Sequence, residues 1–109
     1  MQELSPAQIA ILERLTAAGF KFVTLPHVER YLGVEKEGFV ALLEPAEGQL
    51  RVFGQVGRRM GEGMGMLVGR EGWQAFVWHQ EEVAATPELL AGYNRFRSEL
   101  KVLLEPGSQ

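Results

Sequence analysis

The chain has 109 residues, 46% of them hydrophobic and 23% charged, which suits one core, so residues 1–109 are read as a single domain. Cysteine is absent, which excludes disulfides, thiolate metal sites and thiol catalysis. A formal net charge of −3 weighs against a broad nucleic-acid surface.

All fourteen acids are glutamates, and the only asparagine is Asn94. The absence of aspartate removes the usual calcium-loop, phosphoryl-transfer and Asp-oriented triad residues. No apolar run approaches the roughly 20 residues of a membrane span, and the start of the chain lacks a basic-then-apolar signal. The expectation is a soluble, cytoplasmic protein.

The first predicted element is a helix over residues 6–18. Ser5 is placed to cap it, Pro6 suits the first helical position, and Gln8 completes a Ser-x-x-Gln capping box. Leu4 and Ile9 form a hydrophobic staple, Ile11, Leu12, Leu15 and Ala18 give a core-facing stripe, and Gly19 is a stop. Residues 20–24 read as a short strand broken by Pro26, and residues 27–32 as one or two helical turns ending near Gly33.

Strand signals then follow at 39–44, 50–56, 64–68 and 73–79. The pairs Glu37-Gly38, Glu47-Gly48 and Glu71-Gly72 punctuate them, with glycine supplying the positive φ of tight turns. Short strands on short turns make an antiparallel meander. Thr86 and Pro87 open a last helix, along which Leu89, Tyr93, Phe96, Leu100 and Leu103 form a narrow stripe before Pro106. The fold expected is α+β: an antiparallel meander of four to five strands flanked by N- and C-terminal helices.

Alternation predicts which residues share a face. Leu50, Val52 and Val56, with Trp73, Ala75 and Val77, read as core. Further core residues are Ile11, Leu12, Leu15, Val23, Val68, Leu89, Phe96, Leu100 and Leu103, with either Val40 and Leu42 or Phe39, Ala41 and Leu43 from the strand that is apolar on both faces. The opposite face mixes Arg51, Gln55, Gln74 and Gln80 with Phe53, Phe76 and Trp78. Three large aromatics call for a cover: the terminal helices, a second copy of the chain, or a ligand.

Seven of the thirteen glycines fall between Gly54 and Gly72, with Arg58, Arg59, Arg70, Met60, Met64 and Met66 among them. Such a segment cradles an anion when backbone N–H groups converge beside arginine; its structural alternative is a bulged hairpin. It matches neither dinucleotide-binding nor P-loop spacing. The methionines are more typical of core or of an adaptable contact surface than of a metal site, and neither a metal nor a cofactor is expected. His79, beside Gln80, Glu81 and Glu82, is the better placed of the two histidines for acid–base work, and none of Ser5, Ser98 and Ser108 sits on a nucleophile-presenting turn.

Candidate ligand-binding or interface residues are therefore Phe53, Arg58, Arg59, Met60, Met64, Met66, Phe76, Trp78 and His79. The leading expectation is a non-enzymatic module that self-associates as a homodimer or docks on another protein. A winged-helix-like DNA-binding arrangement is a second reading, with residues 25–33 after the first helix and strand and Arg58 and Arg59 in a wing. The acidic stretch 35–38 weighs against it. The third is a small-molecule or enzymatic site for a partly apolar anion around residues 54–72.

Overall fold

The computed structural model describes residues 4–105. Helix α1 (Pro6–Ala17) begins as its sequence predicts: the Ser5 hydroxyl accepts from the Gln8 N–H at 3.1 Å, and Gln8 Oε1 accepts from the Ser5 N–H at 2.8 Å. The same Gln8, only 5% exposed, donates through Nε2 to the Gln49 carbonyl at 2.9 Å. One side chain thus caps the helix and fastens it to the sheet.

Seven strands follow: β1 (Lys21–Val23), β2 (Leu32–Lys36), β3 (Phe39–Ala46), β4 (Gln49–Met60), β5 (Gly63–Arg70), β6 (Trp73–Trp78) and β7 (Glu81–Ala84). Each pairs antiparallel with the next, giving the order β1 to β7, and α2 (Pro87–Leu104) ends the described fold. The meander flanked by two helices matches the expected class, but it has seven strands rather than four to five. The two added strands are β2 and β7. Residues 27–32 are not helical: a turn-rich loop leads into β2. Helix propensity there yields to the ladder that pairs Val34 with Ala41 and Phe22.

With no helix between α1 and α2, the helix, strand, helix order of the winged-helix reading is absent from the described residues. Its groove-reading element is a β-hairpin. Glu37 and Gly38 there have φ of 54° and 87°, and Glu47 and Gly48 have 51° and 79°. Two successive positive φ values define the type I′ turn, whose twist suits a hairpin.

The two helices lie on one face of the sheet. Ile11 and Leu15 of α1 and Tyr93, Phe96, Leu100 and Leu104 of α2 pack with Phe20, Val34, Phe39, Ala41, Leu43, Leu50 and Phe76. Truncating the fully buried Leu15 to alanine would cost about 2–5 kcal/mol. Arg14 donates to the Leu103 carbonyl at 2.9 Å, and Lys36 Nζ reaches the Ala18 carbonyl at 2.7 Å and Glu99 at 3.0 Å, tying both helices to the frame.

The opposite face has a core of its own. Val40, Leu42 and Leu25 form a buried cluster with Val23, Val28, Tyr31 and Met64 around it. The loop between β1 and β2 covers that side. Both alternatives for β3 therefore hold at once, since Phe39, Ala41 and Leu43 face the helices while Val40 and Leu42 face the loop.

Candidate functional site

The nine residues singled out from sequence lie on both faces of the sheet. Phe76 is fully buried under the helices, and Met60 joins the same core. Trp78 packs on that core, with its ring 4.4 Å from that of His79 in the exposed β6–β7 turn. Phe53 is on the other face, stacked on Tyr31 at 4.2 Å and 16°. Met64 packs beneath the covering loop and Met66 pairs with Val77. Arg59 donates to Glu35 at 2.7 Å, and the Arg58 guanidinium lies 5.7 Å from the Phe39 ring centre.

The expected grouping of Phe53, Phe76 and Trp78 is therefore a correction. The sheet separates Phe53 from the other two; Phe76 is buried under the helices and Trp78 packs on the same core, while Phe53, stacked on Tyr31, stays 42% exposed. Likewise Trp73, expected in the core with Ala75 and Val77, is 47% exposed. Alternation groups residues by parity but does not say which parity the helices cover.

The glycines of 54–72 also have local work. Gly61 and Gly63 lie against the Trp78 indole, and a Cβ at Gly61 would come within 2.6 Å of the ring. Among the described residues no group of His, Asp or Glu is clustered closely enough to hold a metal ion, and no helix is long and apolar enough to cross a membrane.

An opening arises where the sheet parts. β4 pairs with β5 only through Arg58, Arg59 and Met60, opposite Gly65, Met64 and Gly63. Beyond them β5 continues against β6 alone, and residues 49–57 of β4 have β3 on one side and no described strand on the other. Gly54, with φ of 72°, lies within the irregular register that faces Val40 and Leu42.

A groove of about 1260 Å³ occupies the gap, bounded by β4, the start of β6 and one flank of α2. Its apolar wall includes Leu50, Val52, Val56 and Leu67. Leu90, Asn94, Arg97, Lys101 and Glu105 follow one another at helical spacing along the α2 flank. Arg51 and Gln55 line it too, so β4 presents side chains of both parities, as a strand does at its edge.

The groove contains three cationic side chains, Arg51, Arg97 and Lys101, and one carboxylate, Glu105. Arg51 is paired with Glu44 at 3.0 Å; Arg97 lies 5.5 Å from the Tyr93 ring centre, and neither it nor Lys101 is ion-paired with a described carboxylate. The local balance is thus positive in a chain of net charge −3. On the other flank of α2, a smaller hollow has its charges matched, Lys36 to Glu99 and Arg95 to Glu37.

Of the residues expected from sequence to bind, none lines this groove, although Gly54, Gln55, Val56 and Leu67 of the glycine-rich stretch do. The α2 flank was readable as a second stripe, since positions 90, 94, 97 and 101 recur beside the leucine stripe. What they face follows only from the parting of β4 and β5. No protein-family model matches the chain, and comparison with curated proteins and with solved structures returns no match.

Proposed function

We propose that this protein is a non-enzymatic binding module that docks a protein partner through the groove between α2 and β4. The observation that carries the reading is the parting of β4 from β5 after three paired residues, which leaves a long apolar trough with a basic rim. At about 1260 Å³ it exceeds the ~300–1,000 Å³ of ordinary small-molecule sites and suits a segment of chain. Ser98 is its single serine and no histidine lines it, so its lining lacks the Ser–His pair of a serine hydrolase.

Self-association through the leucine stripe or the aromatic face has less support, because Tyr93, Phe96, Leu100 and Phe76 are already buried within one chain. The groove offers a second copy the same trough it offers another protein.

The test uses bis-ANS, an apolar dianion, as a probe of the groove. It should bind the native protein, and both Leu67→Trp, which fills the wall, and Arg97→Glu with Lys101→Glu, which reverses the rim, should weaken it at least about tenfold. Equal binding to all three proteins would refute the reading. Light scattering over a concentration range then separates partners: a monomer points to another protein, and a dimer broken by the rim reversal points to self-docking.

A further inference from the structure

We propose that the groove's occupant is an extended acidic segment of a partner protein, added as a strand to the free edge of β4; this rests on the groove reading above. The type I′ turn at Glu47-Gly48 makes Ala46 and Gln49 a hydrogen-bonded pair, and the antiparallel ladder alternates from there. Arg51 and Phe53 turn their N–H and C=O groups toward β3. Leu50 and Val52 turn theirs the other way, as Gly54 does its N–H, where no described strand pairs with them; Leu50 is buried, so the accessible edge begins at Val52. Across the gap, alternation from the Arg70–Trp73 pair leaves Leu67 and Gly69 of β5 facing outward in the same manner.

Exposed strand edges are templates for pairing, and folds blunt the ones they do not use. Both outer edges of this sheet are blunted: β1 has three residues, and β7 has four, with Glu81 and Glu82 among them. The inner edge of β4 is not. From Arg51 to Gly54 it runs about 13 Å without proline, and its one charged side chain, Arg51, leans back to Glu44. The register irregularity opposite Val40 and Leu42 sets its far limit.

Strand addition supplies affinity through main-chain hydrogen bonds and specificity through alternate side chains. Here one set of guest side chains would meet the half-buried Val52, Leu67 and Leu90. Arg97 and Lys101, unpaired on the helix flank, favour carboxylates in the guest. The class of ligand is therefore a β-forming peptide whose helix-facing side chains are partly apolar and partly acidic.

The probe is a fluorescein-labelled peptide, Val-Ser-Val-Ser-Glu-Ser-Glu, which carries valine and glutamate on one face, with two controls: the same peptide with lysine for each glutamate, and the same peptide N-methylated at alternate residues. The full-length protein is titrated by fluorescence anisotropy, and its backbone amides are followed by hydrogen exchange. The expected result is saturable binding that each control, and the Arg97→Glu, Lys101→Glu protein, weakens at least about tenfold, with new protection at Val52 and Gly54. If the peptide binds but N-methylation costs nothing and those amides stay unprotected, strand addition is overturned while the groove reading stands. No peptide binding up to millimolar concentration, with bis-ANS still sensitive to the groove variants, has the same meaning. If the dye too is indifferent to those variants, both fall.

Discussion

The indole of Trp78 lies against the backbone at Gly61 and Gly63, so closely that a side chain at either position would enter the ring. This contact accounts for part of the glycine density of the β4–β5 hairpin. It also pins that hairpin to the end of β6, beside the three residue pairs that still join β4 to β5. The joint above the groove is held by packing as well as by hydrogen bonds.

Gly63 does not have a positive φ, so alanine there meets a packing obstacle and no backbone one. Gly63→Ala should destabilise the protein by about 1–3 kcal/mol in urea unfolding followed by circular dichroism. In a Trp78→Leu background the same change should cost less than roughly 0.5 kcal/mol. Equal costs in the two backgrounds would show that Trp78 is not the obstacle.

Gln8 couples the start of α1 to the start of β4 at the end of the groove. Gln8→Ala loses half of the capping box and the bond to the Gln49 carbonyl, and should cost about 1–2 kcal/mol in equilibrium unfolding. Glutamate ordinarily serves a capping box well, yet Gln8→Glu should be no better than alanine at neutral pH. Its carboxylate would be buried against a carbonyl with no proton to donate. Burial favours the protonated form in the folded state, so the variant should recover stability as pH falls and lose it as pH rises. A variant as stable as the native protein at neutral pH would contradict this.

Glu47 occupies the left-handed region on an exposed turn and forms no ion pair among the described residues. Glu47→Asn places a residue suited to that conformation before Gly48 and should raise stability by about 0.5 kcal/mol in thermal or urea unfolding. A loss of stability would mean that the turn is not of type I′.

The stack of Tyr31 on Phe53 ties the β1–β2 loop to the far face of the sheet. A double-mutant cycle of Tyr31→Leu and Phe53→Leu should give a coupling of about 0.5–1.5 kcal/mol. A coupling near zero would mean that the loop is held by Leu25 and Val28 without help from the rings.

Legibility in the sequence followed how local each signal is. Ser5, Gln8, Thr86 and the Glu-Gly turns act within a few residues, and all fell where their chemistry placed them. β2 was hidden because Leu32-Gly33-Val34 resembles a helix end, and its pairing partner Ala41 lies across a turn. β7 is exposed throughout and begins with two glutamates, so no apolar alternation marks it. Phe76 and Phe53 share a parity pattern, but only the packing of α1 and α2 decides which is buried. The groove was the least legible feature, since it depends on β4 and β5 parting after Arg58, and no single residue encodes that.

The central claim is that β4 has a working edge, and amide hydrogen exchange resolved by NMR on the unliganded protein tests it most directly. An alternation is expected along one strand: Arg51 and Phe53 slow, bonded to β3, and Val52 and Gly54 markedly faster. Uniform slow exchange across residues 50–54 would mean that this edge is already paired or sealed, and the docking groove would have to be given up.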